Sequence, residues 1–224
     1  MRNPTLHSRP LEELLLTRRT ALELSALATV GLLGFARPSR GGSLTTQRDD
    51  CSPGGKKTPP TGRQRPLPRN LYSNPGSLLR RNLRERGAPG VLLTLRGHVY
   101  DEACKPVARA MLDFFHCDSK GKYDRNEVRY HGHQYTGPDG AYLLRTIVPN
   151  HYLRRTPHIH VKVQSQGGPV LDTQLFFPGR LRAYALNVAA LNANDPAFKP
   201  ALTVELGRRR RNQYDARFDF VIAL

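Results

Sequence analysis

The chain has 224 residues, 35 Lys and Arg against 18 Asp and Glu, a formal net charge of +17 and no tryptophan. The length suits one domain with extensions, and the placement of charge argues against a nucleic-acid partner. Of the +17, +9 falls in residues 37–90, a segment that reads as largely unfolded, and only Arg208-Arg209-Arg210-Arg211 is densely basic beyond it. Three cysteines (Cys51, Cys104, Cys117) with no Cys-x-x-Cys exclude a zinc ribbon and complete internal pairing, and leave open whether Cys104 and Cys117 pair.

In chain order, Thr17-Arg18-Arg19-Thr20-Ala21-Leu22 precedes an apolar run, Leu24 to Phe35, that is too short to span a bilayer. Arg37 and Arg40 follow, and Gly34-Phe35-Ala36 is a small-residue cleavage site. The pattern resembles a twin-arginine signal peptide, departing from it at Ala21 and Glu23. Residues 1–36 are therefore expected to export the protein to the periplasm or beyond, leaving no stable membrane span once cleaved. That route carries proteins already folded, often around a cofactor. Residues 37–88 are expected to form a basic Pro/Gly-rich linker or disordered arm, broken by Pro53-Gly54-Gly55, Pro59-Pro60 and Pro66-Leu67-Pro68. Within it, Ser77 to Arg86 predicts a short helix, with Ser77 as N-cap and Gly87 beyond its end.

From residue 89 to 224 the pattern is that of a folded domain. Val91–Tyr100, Ala108–Cys117, Ala141–Val148, His158–Ser165, Val170–Phe177 and Ala216–Ala223 read as strands. Gly137-Pro138-Asp139-Gly140 and Gly167-Gly168-Pro169 supply turns, and Leu181–Leu191 predicts a helix. Short strands at close spacing imply an all-β fold, an antiparallel β-sandwich with short helices in its loops.

The chemistry concentrates in Tyr152-Leu153-Arg154-Arg155-Thr156-Pro157-His158-Ile159-His160. On a strand, residues two apart share a face. His158 and His160 thus project together while Ile159, Val161 and Val163 enter the core. Two adjacent imidazoles form half of a metal site.

With these motifs the chain resembles the intradiol ring-cleavage dioxygenases, which include catechol 1,2- and protocatechuate 3,4-dioxygenases. The resemblance runs from about Arg96 to Leu224. It is carried by Gly97-His98-Val99-Tyr100-Asp101, Leu112-Asp113-Phe114-Phe115-His116-Cys117-Asp118 leading to Gly121-Lys122-Tyr123, Thr136-Gly137-Pro138-Asp139-Gly140, Pro149-Asn150-His151-Tyr152, Arg155-Thr156-Pro157-His158-Ile159-His160 and Asp172-Thr173-Gln174. It implies a non-haem Fe(III) bound by Tyr123, Tyr152, His158 and His160. A bound cation can hold phenolates at neutral pH. The implied reaction inserts both atoms of O2 into a small aromatic diol of the catechol type. The ring is cut between the hydroxylated carbons to a muconate-type diacid. Tyr152 is the tyrosine implied to leave the metal and accept a proton, Tyr123 the one that stays. Arg155 is implied to stabilise negative charge developing on the substrate, and Gln174 to act beside the substrate. Phe115 replaces a common Trp, and His131-Gly132 a common Arg-Gly.

His131-Gly132-His133 reads as a polar strand near a turn, lining the cleft at most, and Tyr100, Tyr130, Tyr135 and Tyr142 as structural. Competing readings are an inactive homologue of that family, or an exported, non-catalytic β-sandwich binding module, which has no reason to keep Arg155, His158, His160 and Gln174 together. No nucleic acid is expected as a partner. A homo-oligomer is compatible with the sequence, which fixes no oligomeric state.

Overall fold

In the computed structural model, residues 56–61, 71–72, 76–124, 126 and 128–224 are described. Alternating apolar positions build two sheets. One holds β1 (Leu92–Tyr100), β4 (Ala141–Ile147), β7 (Glu205–Leu206), β8 (Gln213–Arg217) and β9 (Phe220–Val221). Its order is β4-β1-β8-β7, with β9 also on β1. The other holds β2 (Met111–Phe115), β3 (His131–Tyr135), β5 (His158–Gln164) and β6 (Leu171–Phe176) in the order β3-β2-β5-β6. All pairs in this second sheet are antiparallel. In the first, β1 runs antiparallel to β4 and parallel to β8 and β9.

The inward faces form one core: Leu93 and Leu95 from β1, Leu144 from β4, Leu112 and Phe114 from β2, and Ile159, Val161 and Val163 from β5, all fully buried. Each such side chain contributes about 1.5–3 kcal/mol by leaving water. This fixes β5 in phase, because a slip of one residue would drive His158 and His160 into the core and three aliphatic residues out of it.

Three local expectations are corrected. Ser77–Arg86 is not a helix. It runs past the open edges of β3 and β4, forming bridges at Leu79–His133 and Asn82–Arg145. Edge strands present unpaired N–H and C=O groups, and these bonds, with burial of Leu83, outweigh a short helix of marginal intrinsic stability. Gly132 permits the approach, since a Cβ there would lie 2.7 Å from both Arg80 Cγ and Leu83 Cδ2. The helix expected at Leu181–Leu191 is displaced to α1 (Val188–Asn194), capped by Asn187. Tyr184 and Ala185 have positive φ, which stops a right-handed helix from beginning earlier. The strand expected over Ala216–Ala223 is split between β8 and β9. There the Phe218 carbonyl crosses Gly97, where a Cβ would lie 1.7 Å from its oxygen, and Asp219 Oδ1 accepts from His98 N–H at 2.8 Å.

Residues 56–61, within the segment expected as an arm, pack on the sandwich. Thr58 N–H donates to Val221 O at 2.9 Å and Thr173 Oγ1 donates to Pro59 O at 2.7 Å. Among the described residues no helix is long and apolar enough to cross a membrane. The export segment lies outside the described residues. Cys104 is disulfide-bonded and Cys117 is buried and free, so the two do not pair.

Candidate metal centre

The period of β5 places His158 opposite Phe176, and His160 between Phe115 and Gln174. His158 Nδ1 lies 2.7 Å from Thr156 O. A carbonyl only accepts, so Nδ1 carries the proton and Nε2 presents its lone pair. That Nε2 lies 3.0 Å from Tyr123 Oη, and His160 Nε2 lies 3.2 Å from the same oxygen. One phenolic proton therefore faces two imidazole nitrogens.

Tyr123 reaches this position from a tight turn. Asp118 Oδ1 accepts from the N–H groups of Lys120 and Lys122, at 2.8 and 2.9 Å. Gly121, at φ +73°, lets the chain turn where a Cβ would lie 2.1 Å from His151 O. The loop carrying Tyr123 thus rests directly on the loop carrying Tyr152. The Tyr152 ring stands edge-on to Tyr123 with centroids 5.0 Å apart, and it is 38% exposed at the mouth of the cleft.

Burial dominates the electrostatics. It pushes the His158 imidazole down to about 4 and His160 well below the usual range, so both are neutral at pH 7. It pushes the Tyr123 phenol up, while Arg155 acts to lower it. The site therefore holds neutral imidazoles and a phenol that needs a cation to ionise. Among the described residues no group of three or more His, Cys, Asp and Glu could hold a metal, so a metal here would require the tyrosine oxygens. Two aimed nitrogens and hard phenolic oxygens suit a hard, highly charged ion.

Arg155 is oriented from two sides. Its Nε donates to Asp195 Oδ1 and Oδ2, both at 2.9 Å, and its Nη2 donates to Gln174 Oε1 at 2.6 Å. Gln174 itself is buried, and Arg155 lines the cleft with Tyr123, Tyr152, His158 and His160. Five of the six residues singled out in the sequence thus line one cleft of about 760 Å³, and Gln174 lies behind them, hydrogen-bonded to Arg155. Phe115 packs its ring against Tyr123, His131 and His160, with centroids 5.0, 5.1 and 5.9 Å apart.

Sequence reading missed Asp195, whose only signal was its place after a short apolar helix and before Pro196. It also assigned no role to Asp113, which entered only as part of a motif. Asp113 is buried beside the cleft, 3.1 Å from His131 Nε2, and accepts from Ser77 Oγ at 2.7 Å. Tyr142 is structural, its hydroxyl donating to Phe218 O at 2.7 Å within the core.

The β-sandwich thus sets a half-buried tyrosine against two imidazoles carried by one strand. Residues 74–223 match the Dioxygenase family model (Dioxygenase_C), and the chain belongs to the intradiol ring-cleavage dioxygenase family. It is 28% identical to catechol 1,2-dioxygenase 2 of Acinetobacter lwoffii over 114 residues, 41% of this chain and 42% of that one. A catechol 1,2-dioxygenase of Pseudomonas sp. (strain EST1001) is 28% identical over 113 residues, 40% of this chain and 37% of that one. The chain thus spans less than half the length of these curated relatives. Among solved structures, the dioxygenase domain of a dioxygenase carbohydrate-binding protein fusion from the cellulolytic bacterium Streptomyces sp. SirexAA-E is similar at 42% identity. Its TM-score is 0.61, covering 74% of this chain and 99% of that domain. The 3-chlorocatechol 1,2-dioxygenase of Rhodococcus opacus 1CP shares the fold, at a TM-score of 0.56 and 23% identity over 66% of this chain and 68% of that one.

Proposed function

We propose that the protein is a non-haem Fe(III) intradiol dioxygenase. It inserts both atoms of O2 into a catechol-type diol and cleaves the ring between the hydroxylated carbons to a muconate-type diacid. Tyr123, Tyr152, His158 and His160 are the residues that would hold the iron. The observation that carries this reading is the convergence of His158 Nε2 and His160 Nε2 on Tyr123 Oη, at 3.0 and 3.2 Å. Bound there, ferric iron would draw electron density from a diol and open its ring carbons to O2.

The chain's own residues do the rest. Thr156 O fixes the His158 tautomer, a supporting contact of the kind that keeps a ligand's lone pair inward. Tyr152, exposed at the cleft mouth, would meet the incoming diol and, held as a phenolate, would accept a diol proton. Arg155 directs its remaining N–H groups at the cleft, where they stabilise negative charge developing on the substrate. Gln174 holds Arg155 Nη2 in that direction. Phe115 forms an apolar wall beside Tyr123 and His160, suited to an aromatic ring.

The protein acts outside the cytoplasm on this reading, and the disulfide at Cys104 supports an oxidising compartment. The test is oxygen uptake by the iron-loaded protein with catechol, together with identification of the product. One O2 consumed per diacid formed is expected. An iron-loaded protein that binds catechol yet consumes no O2 defeats the proposal.

A further inference from the structure

Asp195 joins Arg155 to the strand that carries the histidines. Its side chain is fully buried against Arg155 Nε, and both of its oxygens are in use. Oδ1 accepts from Arg155 Nε and from Ala197 N–H at 3.0 Å, and Oδ2 accepts from Arg155 Nε and from Thr156 N–H at 2.9 Å. Thr156 in turn offers its carbonyl to His158 Nδ1 at 2.7 Å and donates through Oγ1 to Asn192 Oδ1. Asn192 is itself tied to Phe177 O at 2.9 Å. The end of α1 and the turn after it therefore grip the entry to β5 through the Asp195 carboxylate and the Asn192 amide.

We infer that Asp195 is a positioning residue that aims the Arg155 guanidinium into the cleft by gripping its Nε edge. Two things follow from the geometry. With Nε taken by Asp195 and one Nη2 proton by Gln174, the planar guanidinium has no rotational freedom, and its Nη1 edge has no hydrogen bond to any other described residue. The residue lines the cleft, so its unengaged donors are the ones available to substrate charge there. A buried carboxylate that loses its partner is costly, so neither residue of the pair works alone. Asp195 does not line the cleft itself and acts through Arg155.

The inference rests on the dioxygenase reading for its effect on turnover, and on the pair alone for its effect on stability. The experiment is a double-mutant cycle on the full chain with Asp195→Asn, Arg155→Ala and both together. Asn keeps the shape of Asp and an acceptor for Thr156 N–H, so the fold has a conservative replacement. In the iron-loaded protein, Asp195→Asn is expected to lower kcat for catechol by roughly 10- to 100-fold, with little change in KM and with wild-type iron content. In the Arg155→Ala background the same substitution is expected to cost nothing more. An equal loss in both backgrounds, or loss of iron from Asp195→Asn, overturns the inference. If the wild type cleaves no catechol, the functional reading fails, and the same cycle in urea unfolding of the metal-free chain decides the rest. Non-additive losses there uphold the pair, and additive losses overturn it.

Discussion

Gly121→Ala should uncouple the two tyrosines of the proposed centre. Gly121 lies at φ +73°, and a Cβ built on it would sit 2.1 Å from His151 O and 3.9 Å from Tyr152 Cα. The left-handed conformation alone costs a residue with a Cβ about 1–2 kcal/mol. Ordinary carbon–oxygen contact needs roughly 3.3 Å, so the two loops must separate by about 1.2 Å. The bond from Asn150 N–H to Asp118 O, 3.2 Å long, joins those loops and would stretch beyond use. Losing it adds about 1 kcal/mol, for a total near 2–3 kcal/mol. Separation of about 1 Å between groups that act on one substrate costs on the order of 100-fold in rate. Urea unfolding of the metal-free variant and catechol turnover of the iron-loaded variant measure the two effects. A variant within about 0.5 kcal/mol of wild type that turns over normally would refute the claim that this glycine sets the spacing of Tyr123 and Tyr152.

Other predictions follow from the same geometry. His160→Ala should bind little iron and lose nearly all activity, and normal metal content by elemental analysis would sink its assignment as a ligand. His116 is fully buried between Cys117 O and Thr146 Oγ1, and burial lowers it to about 4. The unfolded chain therefore binds the extra proton first. Stability is complete above about pH 6.5 and is lost as pH falls toward 4, by about 3 kcal/mol from this residue. His116→Gln should flatten that slope in urea titrations at pH 7 and pH 5, and an unchanged slope would contradict it. Cys104→Ser should destabilise the metal-free chain by about 2–5 kcal/mol without changing iron stoichiometry. Full stability in the variant would count against a structural role for the disulfide.

The strands that carry the site were legible because period two is a strong local signal. Ile159, Val161 and Val163 mark the core side of β5, which fixes the side on which His158 and His160 emerge. The motif Gly121-Lys122-Tyr123 was legible as a pattern, but its cause, the close crossing of His151, appears only once two distant loops meet. Ser77–Arg86 carried helical signals, yet two sheet edges captured its backbone. Nothing local predicts that competition, because the bridged edge residues lie 54 and 63 residues away in sequence. Asp195 was missed for the same reason, since its value lies wholly in partners reached by the fold. His131 and His133 were read as a polar strand, and β3 is one, but both rings are buried. His133 contacts Ser77 Oγ at 3.0 Å, a partner from the segment misread as helix.

The most direct test of the proposed centre is the visible spectrum of the iron-loaded protein, recorded before and after catechol is added under nitrogen. Tyrosine ligation predicts a broad purple-red charge-transfer band that moves to longer wavelength when catechol binds. A colourless protein with full iron loading would contradict ligation by Tyr123 and Tyr152.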